Sequence, residues 1–199
     1  MPKIESPFVR VHNEKDEYVV IDEINPWYER VFQDDWVLCV EKLDGTNICI
    51  EIKNKEVVQI QNRMNIINPW NVSTVHIMEW LYESLKREYL PKKDGIYFGE
   101  LIWPKLQSNP YGLERHLWIP FLTYAKEHLA YKSRWKYPKT FQALSERFQT
   151  NIFSLYYRKL HEWAIQKPEW VVFYHPDGKR IAKLRIDMFD RYEWRRHRE

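Results

Sequence analysis

Glycine is scarce, five in 199 residues, and its placement matches neither a Walker-type phosphate loop nor a dinucleotide-binding turn. Cysteine is scarcer. Cys39 and Cys49 lie in apolar runs without metal-ligand spacing, which excludes a disulfide framework and reads as two small core residues in a reducing compartment. No apolar run approaches membrane-spanning length, and the opening residues Met1 to Ser6 lack a secretory hydrophobic region. A soluble, cytoplasmic protein with no membrane partner is expected. The seven histidines are scattered, no metalloprotease helix is present, and His116 and His161 read as surface or packing residues. The net charge of +3 is too mild to indicate nucleic acid by itself. Its distribution says more: Lys179 to Glu199 carries eight basic against four acidic residues. Such an end could hold a phosphate backbone by counterion release, and a solvated tail fits equally well.

What is abundant is apolar and aromatic surface. The chain is 44% hydrophobic and 16% aromatic, with ten Trp and thirteen Tyr, enough for one well-buried domain over residues 1–199. The rings serve a dense core or a base-stacking surface, and composition does not separate the two.

Trp36 to Val40 reads as a strand that stops at Glu41-Lys42-Leu43-Asp44-Gly45, where Asp-Gly signals a hairpin turn. Ile48, Ile50 and Ile52 then alternate with polar residues, and Asn54-Lys55 turns the chain into Glu56 to Gln61, which predicts an antiparallel meander of three strands. Asn71 or Ser73 could cap a helix through about Tyr89 with Val75, Met78, Leu81, Tyr82, Leu85 and Tyr89 on its apolar face. Ile96 to Trp103 and Leu117 to Tyr124 read as strands, and Thr140 to Phe148 and Ile152 to Ile165 as helices. Trp170 to Tyr174 and Arg180 to Ile186 read as strands joined by a turn at His175 to Lys179. The expected architecture is an α+β domain of antiparallel sheets flanked by helices.

The candidate chemistry centres on Lys42, which a strand delivers into a tight turn. A lysine amine attacks only when unprotonated, and burial or a neighbouring cation favours that form. Glu41-Lys42-Leu43-Asp44-Gly45-Thr46-Asn47 resembles the nucleophile motif of the covalent nucleotidyltransferases, and its wording is most similar to RNA ligases of the nick-sealing type. Further elements follow in the family's order: Arg63, Tyr97-Phe98-Gly99-Glu100, Trp118-Ile119-Pro120-Phe121, Glu169-Trp170-Val171-Val172 and Lys183-Leu184-Arg185. The chain departs from the pattern in three places. Leu122 stands where an aspartate is usual, Trp170 where the family has glycine, and Arg185 where it has a second lysine.

The resemblance implies a nucleotidyltransferase fold, an ATP-grasp-like ligase adenylation domain, without the appended OB-fold barrel or helical domain of larger relatives. It implies that Lys42 attacks the α-phosphorus of ATP to form lysyl-AMP, that Mg²⁺ or Mn²⁺ assists, and that AMP passes to a 5′-phosphate which a 3′-hydroxyl then displaces. Lys183 and Arg185 would neutralise the α-phosphate, and, being two apart on a strand, they project to one face. Arg63 would contact the nucleotide and the incoming phosphate, and Glu100 the ribose, where a carboxylate can accept from two vicinal hydroxyls. Phe121 would stack on adenine, with Trp118 as its competitor, while Glu41, Asp44, Gly45 and Asn47 would line the nucleotide and Glu169 would hold the metal. The implied partner is RNA, with DNA and an accessory protein as further expectations. A minimal DNA ligase and a strand-binding relative without catalysis are the alternatives, and a guanylyl-transferring capping enzyme fits less well.

Overall fold

The computed structural model describes residues 4–72, 74–85, 91–102, 104, 109–131, 139–162 and 165–189. Its strands are, in chain order, β1 (Phe8–His12), β2 (Tyr18–Ile24), β3 (Leu38–Lys42), β4 (Thr46–Lys53), β5 (Glu56–Gln61), β6 (Gly95–Ile102), β7 (Leu117–Pro120), β8 (Trp170–Tyr174) and β9 (Ile181–Arg185). The helices are α1 (Arg30–Gln33), α2 (Val75–Leu85), α3 (Lys126–His128), α4 (Phe141–Thr150) and α5 (Leu155–Leu160). A π-helical turn, Phe121–Ala125, leads into α3, and a 3₁₀ turn, Ile186–Met188, follows β9. This mixed architecture with antiparallel sheets matches the expected class. None of these helices is long and apolar enough to cross a membrane.

The chain forms two compact units, one of Leu43–His128 and one of Pro2–Lys42 with Leu129–Glu199. Unit one, Leu43–His128, is built on a four-stranded antiparallel sheet in the order β5-β4-β6-β7. The alternation read in β4 places Ile48, Ile50 and Ile52 in a core with Ile60, Leu101 and the fully buried Trp118. Helix α2 covers this core through Ile77 and Leu81. Its buried face is rotated from the expected one: Ile77 is in the core and Tyr82 is 43% exposed, because the Ser84 hydroxyl is needed inside, where it accepts the Trp118 backbone N–H at 2.5 Å. The expected capping Ser73 and the last turn, 86–90, lie outside the described residues, as do Trp103 and the basic stretch 190–199.

Unit two, Pro2–Lys42 with Leu129–Glu199, holds a three-stranded sheet in the order β3-β8-β9 and the β1-β2 hairpin, which the sequence reading did not identify. Cys39 on β3, Val171 and Phe173 on β8, and Ala182 and Leu184 on β9 face one core, filled by Phe8, Phe148 and Phe189. Phe8 stacks on Phe32 at 4.9 Å and meets Phe141 edge-on at 5.0 Å, contacts that add to the burial itself. Thr140 and Ser154 cap α4 and α5, accepting the N–H groups of Ala143 and Tyr157. Each cap is worth about 1 kcal/mol. At the other end of α4, Lys167 donates to the carbonyls of Phe148 and Gln149, where a cation suits the helix dipole.

Three expectations are corrected. The meander does not form: β4 pairs with β5 and β6, whereas β3 pairs with β8. The segment between Lys42 and Thr46 is therefore a passage between sheets. Leu43 and Asp44 are buried there, as the tip of a hairpin would not be. The strand from Leu117 stops at Pro120, and Phe121 to Tyr124 are π-helical, since proline brings no N–H to continue a ladder. The helix expected over Ile152 to Ile165 shortens to α5, because Ile152 is taken into the core and Ser154 caps the helix behind it.

Candidate active site

In unit two, the β3-β8-β9 register brings three side chains of the motifs onto one face. Lys42 is the direct partner of Trp170, and Trp170 of Arg185. Lys183, two residues before Arg185, shares that face, opposite Val172. The expected nucleophile and the two expected cations thus share one face, with Trp170 on the central strand between them. The Lys183 ammonium lies 4.6 Å from the centre of the Trp170 ring and the Arg185 guanidinium carbon 5.8 Å. Arg185 is also gripped by Asp187, which accepts from Nε and, at 2.9 Å, from Nη2. The sequence reading missed Asp187, although its position two residues after a motif arginine was a usable signal.

Trp170 adopts regular extended pairing on both sides, so the strand needs none of the backbone freedom that glycine brings. Glu169 immediately precedes it, half-buried, and its carbonyl accepts the Ile186 N–H at 3.0 Å. Its carboxylate is a hard oxygen ligand suited to Mg²⁺ or Mn²⁺. Among the described residues no cluster of three or more His, Cys, Asp and Glu assembles. Magnesium sites are commonly completed by phosphates and water.

Glu41 departs from its expected role. Lys42 and Glu41 are consecutive on a strand and leave it on opposite faces. The Glu41 side chain is buried, and its carboxylate accepts from Ser154 Oγ at 2.5 Å and from the backbone N–H groups of Leu155 and Tyr156 at 2.6 and 3.0 Å. It closes the N-terminal turn of α5. Burial pushes its pKa up to about 7, against the opposing pull of those three donors. On its outer edge β3 is held by Leu129 to Tyr131: the Glu41 N–H donates to the Leu129 carbonyl at 2.8 Å and the Tyr131 N–H to that of Cys39 at 2.9 Å.

Unit one carries the other motif residues. The Asp44 N–H donates to the Tyr111 hydroxyl at 2.8 Å, a support without any local sequence signal because it comes from a distant loop. Gly45 is required by space: a Cβ there would overlap the Leu101 carbonyl oxygen and lie 2.8 Å from Ile102 Cγ2. Asn47 and Glu100 are direct partners on β4 and β6 and share a face. Glu100 is almost wholly buried, and the Asn47 Oδ1 is buried with no hydrogen-bond partner among the described residues. Gly99 makes room for the Trp118 indole, whose N–H donates to the Ile48 carbonyl at 3.1 Å. Trp118 is therefore a core residue with no face to offer a base, whereas Phe121 is half-buried at the head of the π-turn. Arg63 is exposed in a turn organised by Asn62, whose side-chain oxygen accepts the N–H groups of Met64 and Asn65.

The RNA ligase family pattern matches residues 35–185. The chain belongs to the RNA ligase family. No curated protein matches it significantly. Among solved structures it resembles a mutant of Naegleria gruberi RNA ligase with ATP and Mn at TM-score 0.50 and 14% identity, over 92% of this chain and 59% of that one. A structure of Naegleria gruberi RNA ligase with PPi aligns at TM-score 0.49 and 17% identity, over 78% of this chain and 51% of that one. This RNA ligase family chain thus spans little more than half the length of those proteins, and at such identities the first likeness speaks to fold alone.

Proposed function

We propose that this chain performs the adenylylation chemistry of an ATP-dependent RNA ligase within a nucleotidyltransferase fold. Lys42 Nζ attacks the α-phosphorus of ATP, forming the lysyl-AMP phosphoramidate and expelling pyrophosphate. AMP then passes to a 5′-phosphate of RNA, and a 3′-hydroxyl displaces it to join the strand. The observation that carries this reading is the register Lys42–Trp170–Arg185 with Lys183 on the same face, which puts a candidate nucleophile and two cations on one side of the sheet. Fixed positive charge at a reacting phosphate is the main catalytic lever in such transfers. Lys183 and Arg185 are proposed to bind the α-phosphate, Lys183 also serving as a proton donor, which an arginine cannot do.

A divalent cation, when bound, would neutralise charge on the phosphates, and Glu169 is the carboxylate proposed to help hold it. The solved relative carries ATP and Mn, which supports the same pair here. Asp44, Gly45, Asn47, Arg63, Glu100 and Phe121 are proposed nucleotide contacts on the strength of the motifs they match. Glu41 acts by fixing the strand that delivers Lys42.

Incubation with ATP labelled at the α-phosphate, plus Mg²⁺ or Mn²⁺, tests the reading. The expected result is an acid-labile covalent adduct on Lys42, absent from Lys42→Ala and not formed with labelled GTP. Nicked RNA carrying a 5′-phosphate should then acquire AMP. Protein that binds strands without being labelled would sink the proposal.

A further inference from the structure

Two cations placed two apart on one strand repel each other, and in water their long side chains would splay. Here an aromatic face lies beneath both. Trp170 occupies the central strand between Lys42 and Arg185, and its ring gathers the Lys183 ammonium at 4.6 Å and the Arg185 guanidinium at 5.8 Å. Both distances fall within the range in which the ring quadrupole attracts a cation, and tryptophan is the strongest of the aromatic faces. Paired residues on adjacent strands stand about 5 Å apart, so Trp170 stands in the gap of two strand spacings that separates the nucleophile's strand position from that of Arg185. Asp187 also holds the guanidinium, accepting from Nε and Nη2. A glycine in that position would leave the gap empty and the cations without a surface.

We infer that Trp170 is a positioning residue for adenylyl transfer: its indole holds Lys183 and Arg185 converged on the face from which Lys42 projects. The inference rests on the reading of Lys42 as nucleophile. Trp170 acts through the cations, so it governs the rate of the chemical step more than the capture of ATP.

Single-turnover self-adenylylation of the full chain, with ATP concentration varied, provides the test. Trp170→Phe, which keeps a ring, should stay within about threefold of the parent maximal rate, whereas Trp170→Leu should lose on the order of tenfold with little change in half-saturation by ATP. Trp170→Met, also ringless, repeats the comparison so that a folding defect in one variant does not decide it. An independent reading needs no activity: the Lys183 ε-methylene protons, shielded by the indole, should resonate upfield in the parent chain and lose that shift in Trp170→Leu, with Lys183→Arg providing the assignment. Parent-like rates in both ringless variants, or unshifted Lys183 protons in the parent, overturn the inference alone. A parent chain that takes no label overturns the nucleophile reading and this inference with it.

Discussion

Glu41 and Lys42 leave opposite faces of β3, so one short strand carries a buried carboxylate toward the core and the candidate nucleophile away from it. The carboxylate takes three donors from the first turn of α5, and that fastening fixes the strand immediately before Lys42. Rigid delivery of an amine is a requirement of covalent catalysis.

The fastening has a pH signature. The Glu41 pKa is raised from 4.5 to about 7 in the folded chain, so the fold holds this proton more tightly than the unfolded chain does. Its stabilising contribution is complete below about 4.5 and is lost as the pH rises through about 7, on the order of 3 kcal/mol in all. Relative to Glu41→Gln, the parent chain should lose stability between pH 5 and pH 8, measured as urea midpoints. Equal slopes for the two chains would contradict this. Glu41→Ala, which leaves three donors without their acceptor, should be destabilised by about 3 kcal/mol near pH 5, and its difference from the parent should shrink toward pH 8.

Two glycines should respond to alanine for different reasons. Gly45→Ala should cost about 2 kcal/mol or more, since backbone and side chains crowd the position of the new methyl. Gly178 has open space around it and a φ of +70°, so Gly178→Ala should cost about 1 kcal/mol through strain in the β8-β9 turn. Thermal or chemical denaturation of the pair checks the order.

Trp118 and Phe121 separate packing from binding. Trp118→Ala removes a fully buried indole and should cost about 4 kcal/mol. Phe121→Ala should leave the unfolding midpoint within about 1 kcal/mol yet weaken ATP capture about tenfold, as loss of a stacked ring would. A large stability loss at Phe121 with unchanged nucleotide binding would remove it from the proposed contacts.

Tyr111→Phe deletes the acceptor for the Asp44 N–H without changing shape. A loss of about 1 to 2 kcal/mol is expected, because the hydroxyl that accepts this buried amide is gone. An unchanged unfolding midpoint would show that the amide finds another acceptor.

Period-two alternation made β4 legible, as did the β8-β9 turn, where Asp177 accepts the N–H groups of Lys179 and Arg180 and Gly178 supplies the left-handed conformation. The motif order Lys42 to Arg185 gave the family. Pairing was not legible: Asp-Gly after a strand implies a hairpin from local rules, yet β3 finds its partner in β8, and no local signal encodes a ladder closed across so much chain. For the same reason the motif match alone places Glu41 at the nucleotide, since nothing in its neighbours reveals the distant Ser154. Phe121 in a strand and Trp118 as a stacking face were ambiguities of a short apolar run, which periodicity cannot resolve.

The β3-β8 ladder also bears on biosynthesis. All of Leu43–His128 lies between the two strands in the sequence, so the ribosome must translate through Tyr174 before Lys42 acquires its neighbour Trp170. Contacts of such high sequence separation form late. A nascent polypeptide halted before that point would display the lysine without its cationic companions.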